Sequence, residues 1–78
     1  MKKIITLDHL KVGNSCKVIE VKNQGSIRRR LLDLGLMPGT VITAILSSPF
    51  KDPIAYKIKN ATIAIRKKDS KNIIVEEL

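Results

Sequence analysis

The sequence predicts an all-β protein, a small barrel of about five short strands carrying one short helix. Three features point there. The 78 residues are 44% hydrophobic but only 3% aromatic, so the interior must be built from Ile, Leu and Val, whose branched side chains favour strands. Gly, Pro and Asn-containing turns divide the chain into apolar runs of strand length. Strand and helix patterns do not alternate as a doubly wound parallel sheet requires. A chain this short reads as one domain over residues 1–78 with a compact core and little room for a large cleft.

Taken in order, Leu7, Leu10, Val12 and Gly13 form an opening turn, and Ser15 to Val21 is strand-like. The adjacent Val18 and Ile19 break strict alternation, which fits either a strand covered on both faces or a bulge. After Asn23-Gln24-Gly25, Ser26 is placed to cap a helix whose apolar stripe is Ile27, Leu31 and Leu34. Gly35 stands at the left-handed position that ends a helix, with Leu36 folding back on Leu31 as in a Schellman motif. Pro38-Gly39 suits the two corners of a type II turn. Val41 to Leu46 is apolar on both faces and predicts a strand covered on each side, ended by Ser48-Pro49. Beyond the loop Phe50-Lys51-Asp52-Pro53, Ile54, Tyr56 and Ile58 alternate with Ala55, Lys57 and Lys59, a half-buried strand with Tyr56 inward. Asn60-Ala61 turns the chain, Ile63 and Ile65 continue the pattern, Lys67 to Lys71 is a polar turn, and Ile73 to Val75 is the last strand. Closure into a barrel of SH3-like or OB-like type would remove the exposed edges that such isoleucine-rich strands otherwise present.

Charge and composition narrow the function. Fifteen Lys+Arg against seven Asp+Glu give a formal charge of +8, which favours an acidic or phosphorylated partner. Cys16 is alone and cannot close an internal disulfide, so a reducing compartment, the cytosol, is expected. Met1-Lys2-Lys3 followed by Ile4 to Leu7 resembles the start of an export signal, but Asp8-His9 cuts the apolar run short of the ~7–15 residues needed. No run approaches the ~18 apolar residues of a spanning helix, so any contact with a membrane would be through the protein's surface or through a protein partner, and only indirect involvement is expected. There is no Ser-His-Asp set, no second histidine, no Gly-rich phosphate loop and no cofactor fingerprint, so no catalytic residues are assigned and a non-enzyme without cofactor is expected.

The run from Arg28 to Thr40, with its L-x-x-L-G-L-x-P-G core (Leu31, Leu34, Gly35, Leu36, Pro38, Gly39), resembles the signature segment of the FeoA family, small proteins associated with bacterial ferrous iron transport. Pro49 and Asp52-Pro53-Ile54-Ala55, then Ile63 to Arg66 and Ile73 to Val75, are similar to that family's later strands, so nearly the whole chain is covered. Lys51 and Asn60-Ala61 stand where the family commonly has glycines. The resemblance implies an SH3-like barrel in the cytosol that is an accessory to the FeoB membrane transporter, whose cytosolic part is a GTPase.

Candidate partner-binding residues are Arg28, Arg29, Arg30, Leu32, Leu36, Met37 and Pro38. Three cations near a helix start oppose its dipole at about 0.3–1 kcal/mol each, and such local conflicts flag function. The plain reading of the arginines is a solvated face, and that of the leucines is packing over the barrel. Arginine's planar fork suits carboxylate or phosphate, and an exposed Leu32 and Met37 would suit docking. The rival is nucleic-acid binding through eleven lysines, Lys57, Lys59, Lys67, Lys68 and Lys71 among them. Single-strand binding wants stacking aromatics, and this chain has only Phe50 and Tyr56. An iron cage lacks donors. His9 and Cys16 are the sole imidazole and thiol, which leaves transient coordination by Asp52, Glu76 or Glu77, and no metal residues are assigned. Self-association is left open.

Overall fold

The computed structural model describes residues 2–47, 49 and 51–78, the side chain of Ser47 excepted. Met1 of the leader-like start, Ser48 of the strand ending and Phe50 of the following loop lie outside the described residues. Among those described, six strands form one antiparallel sheet in the order β1-β6-β2-β3-β4-β5. They are β1 (Ile4–Thr6), β2 (Ser15–Val21), β3 (Val41–Ser47), β4 (Ile54–Ile58), β5 (Ala61–Ile65) and β6 (Ile73–Glu77). The helix α1 spans Gly25–Asp33, α2 is a single turn at Lys67–Ser70, and Leu7–His9 is a 3-10 turn. The sheet has one strand more than the sequence predicts. The extra one is β1, which pairs with β6 through Ile4↔Glu76, Ile5↔Val75 and Thr6↔Ile74. The short polar stretch at Lys67–Ser70 is helical rather than a simple turn.

The inner face of the curled sheet carries Cys16, Val18, Ile42, Ala44, Tyr56, Ile58, Ile65, Ile73 and Val75, closed over by Leu7, Leu10, Leu31 and Leu36. Cys16 and Tyr56 are thus core residues. Burial pushes the Cys16 thiol up to about 12, with Glu77 adding to the effect. Burial likewise pushes the Tyr56 phenol to about 12, aided by Cys16 and Asp8, although the Ser70 side chain pulls the other way.

Bulges shape two strands. The register of β2 against β6 shifts between Val18 and Glu20, which leaves Ile19 and Glu20 both facing solvent before Val21 returns to the core and resolves the break in alternation as a bulge. A second shift, of β3 against β4, falls between Ala44 and Leu46. It corrects the expectation that β3 is covered on both faces. Ile42 and Ala44 are buried, but Val41, Ile45 and Leu46 are exposed, because the inserted residue leaves Ile45 and Leu46 both facing solvent.

The segment after α1 folds as its residues dictate. Gly35, at φ +105°, allows the Leu36 amide to donate to Leu31 O and the Gly35 amide to Leu32 O, each at 3.0 Å, the paired bonds of a Schellman motif. Leu36 then drops into the core at 0% exposure. Gly39, at φ +95°, completes a turn in which the Thr40 amide donates to Met37 O at 2.9 Å. The hairpin between β4 and β5 turns on Lys59-Asn60 rather than Asn60-Ala61, since Ala61 already pairs with Ile58.

Candidate functional site

The helix start differs from expectation. It begins at Gly25 with Gln24 before it, and no side chain caps its amides, so Ser26 is inside the helix rather than its cap. Arg28 therefore lies fourth and Arg30 falls in the last turn, where a cation is favoured. The conflict with the helix dipole is correspondingly smaller than three cations at the start would impose.

Successive helical residues point about 100° apart, which separates the arginines. Arg28 and Arg29 line a shallow depression of about 250 Å³ with Gly25, Leu32 and Asp33. Arg30 faces the opposite side, where Ile27, Leu31 and Leu34 border a groove of about 660 Å³ running along β5. All three arginines are exposed and Leu32 is half-buried against the core.

Met37 and Pro38 stand on the turn that follows. That turn is pinned to β2, since the Gly39 amide donates to Val18 O at 2.7 Å and the Val18 amide to Thr40 O at 2.8 Å. Met37 is 54% exposed, and Val41, just past the turn, and Ile19, next to the pinned Val18, are exposed as well. Ile19 and Val41 were not among the candidates; the broken alternation at Val18-Ile19 was a signal for Ile19, and Val41 lies in the run expected to be covered on both faces.

Leu36 must be removed from the candidate surface. Its complete burial is the direct result of the Schellman turn, which folds the residue after Gly35 back over Leu31. The structure thus brings Arg28, Arg29 and Leu32 together, sets Met37 and Pro38 on a rigid corner, and sends Arg30 to another face.

Other chemistry has little to work with. Tyr56 is buried, so its ring offers no stacking platform to a base. Among the described residues no three His, Cys, Asp or Glu side chains gather to hold a metal ion. His9 is largely exposed, its Nδ1 at 2.9 Å from Thr6 Oγ1 and 3.5 Å from Asp8 Oδ1. No helix among the described residues is long and apolar enough to cross a membrane.

A curled six-stranded sheet with a basic helix and a rigid apolar corner describes a small SH3-like domain. Comparison with known proteins names the family. The FeoA domain model matches residues 5–77, and the chain belongs to the FeoA family. It is 31% identical over 70 residues, 90% of its length, to an Fe(2+) transport protein A/Fe(2+) transporter FeoB fusion protein of Porphyromonas gingivalis, of which it spans only 8%. It resembles the solution structure of a FeoA-like protein from Clostridium acetobutylicum, with a TM-score of 0.87 and 33% identity, over 100% of this chain and 91% of that one. A crystal structure of Stenotrophomonas maltophilia FeoA complexed with zinc, described as a prokaryotic SH3 domain protein, matches with a TM-score of 0.81 and 25% identity, over 91% of this chain and 88% of that one. The family carries the link to ferrous iron transport, and in one relative the domain is joined to FeoB.

Proposed function

We infer that this protein is a non-catalytic cytosolic accessory of ferrous iron transport that binds a FeoB-type transporter and modulates it. The observation carrying this reading is the fusion in Porphyromonas gingivalis, where a domain similar to this chain is part of the same polypeptide as the transporter. A covalent link holds two modules at high effective concentration, which is useful where they act on each other. The proposed contact is formed by Arg28, Arg29 and Leu32 together with Met37 and Pro38, a pair of exposed guanidinium groups and an apolar corner. Arginine forks would take carboxylates of the partner, and Met37, with its flexible thioether, would fill an apolar recess.

Titration of the purified chain against the cytosolic region of a FeoB transporter tests this. Saturable binding is expected, and Arg28→Glu with Arg29→Glu, or Met37→Glu alone, is expected to weaken it by about tenfold or more while thermal unfolding stays near wild type. Unchanged affinity in both folded variants would remove this surface from the interface. Absence of any binding would remove the function.

A further inference from the structure

The groove along β5 has a feature the transporter reading does not use. β5 is the end strand of the sheet and pairs with β4 alone. Its hairpin has a two-residue loop, so Ile58 and Ala61 form the hydrogen-bonded pair nearest the turn, and alternation makes Tyr56↔Ile63 and Ile54↔Ile65 the others. The amides and carbonyls of Thr62 and Ala64 consequently point away from the sheet, and among the described residues nothing on their outer side bonds them.

Native edges are commonly blunted by an inward charge, a proline or a bulge. The sequence Ala-Thr-Ile-Ala-Ile of β5 holds no charge and no proline, and its register with β4 is unbroken. The space beside it is open, about 660 Å³, and its far wall is the apolar stripe Ile27, Leu31 and Leu34 of α1. Arg30, Arg66 and Lys68 rim the groove against a single carboxylate, Asp69.

We propose that this groove takes an extended acidic and aliphatic segment of a protein partner, added antiparallel or parallel to β5 as a seventh strand between β5 and α1. Five residues of β5 span about 17 Å, enough for a short strand. Main-chain bonds to Thr62 and Ala64 supply affinity, alternate aliphatic side chains meet Ile27 and Leu34, and acidic side chains meet the Arg30, Arg66 and Lys68 rim. A second copy of this chain is the poorer occupant, because edge-to-edge pairing would set two such rims together on molecules of net charge +8 each. The groove shares no residue with the proposed transporter contact, and the proposal stands or falls independently of that contact.

The test uses a fluorescein-labelled peptide of alternating glutamate and valine, about six residues long, titrated into the full chain by anisotropy at about 50 and about 500 mM salt. Saturable binding that weakens with salt is expected, with slowed amide hydrogen exchange at Thr62 and Ala64. Ala64→Pro removes one outward amide without touching a bond to β4, a substitution that edge strands tolerate, and is expected to cost about tenfold or more in affinity. Arg66→Glu with Lys68→Glu is expected to do the same at low salt, and it decides the matter alone should Ala64→Pro not fold. The proposal is overturned by absence of saturable binding at low salt, or by equal binding of a control peptide of the same length that alternates lysine and valine. Undiminished affinity in a folded variant overturns it too, as does a concentration-dependent dimer that Ala64→Pro abolishes.

Discussion

Replacing Leu36 by alanine, and separately its neighbour Met37 by alanine, tests how the turn after α1 divides packing from exposure. Leu36 is wholly buried, whereas Met37 is 54% exposed. Truncating a fully buried leucine costs about 2–5 kcal/mol through lost transfer energy and the cavity left behind. Typical stabilities of about 0.05–0.15 kcal/mol per residue give about 4–12 kcal/mol for 78 residues, so the change consumes a large share of the total. With an unfolding entropy near 2.1 cal/mol/K per residue, about 0.16 kcal/mol/K for the chain, a loss of about 3 kcal/mol lowers the melting midpoint by about 18 °C. Met37→Ala, at the surface, should stay within about 0.5 kcal/mol of wild type, a shift of about 3 °C. Thermal unfolding followed by far-UV circular dichroism, with the variants at one protein concentration, reads both numbers. A Leu36→Ala protein melting within a few degrees of wild type, or a Met37→Ala protein as unstable as Leu36→Ala, would refute the assignment of these two side chains. A glutamate in place of Leu36 would be a buried unpaired carboxylate, enough to unfold so small a domain.

Two further outcomes follow from the backbone and the core. Lys59, the first residue of the β4–β5 loop, sits at φ +54°, a conformation that costs a residue with a Cβ about 1–2 kcal/mol and that glycine favours. Against glycine's extra chain entropy, Lys59→Gly should gain about 0.5–1 kcal/mol, raising the midpoint by about 3–6 °C, with Lys59→Ala as the control for lost charge; a glycine variant melting no higher than the alanine one would contradict this. The Cys16 thiol and the Tyr56 phenol, both raised to about 12, bind protons more tightly folded than unfolded. Their contribution is complete below the unfolded values of 9.0 and 10.0 and is lost as pH rises through these values toward 12, at up to about 1.4 kcal/mol per pH unit for each group. Urea titrations at stepwise higher pH should show the midpoint falling above about pH 9, less steeply in Cys16→Ala; a flat profile to pH 11 in wild type would rule the linkage out.

Local signals carried much of the fold. Gly35 and Gly39 each occupy a position that a side chain resists, so the helix end, the contact of Leu36 with Leu31 and the turn could be placed from spacing alone, whereas the same Leu36, taken as a binding residue, is wholly buried. Tyr56 followed from strict alternation in β4. What failed depended on partners distant in sequence. Three residues at Ile4–Thr6 are too few to show a period, and they become a strand only because β6 lies alongside. Val41 to Leu46 looked doubly covered because apolar residues on both faces usually mean two buried faces; instead the outer face of Val41 and Ile45 is exposed, and a bulge, invisible without the register against β4, turns Leu46 to solvent as well. Four polar residues cannot announce a helical turn, and at Lys67–Ser70 the amide of Lys67 finds Asp52 Oδ1 at 2.9 Å, fifteen residues away in sequence. The candidate contact was legible as a basic segment with an exposed methionine, but not as two faces, because side-chain direction around α1 depends on where the helix begins.

The place of β6 between β1 and β2 bears on how the molecule is made. Ile73–Glu77 joins strands from the opposite end of the sequence, so a nascent chain leaving the ribosome holds the first two without the piece that bridges them. Until Ile73 and Val75 emerge, β1 and the inner face of β2 lack the strand they pair with, and assembly waits on pairing across some seventy intervening residues, the long-range closure that makes such topologies slow to form. Pairing of β1 and β2 through β6 therefore waits until β6 has been made, and a holdase that shields the isoleucine-rich stretches during that interval would act on this protein at the moment of its greatest exposure.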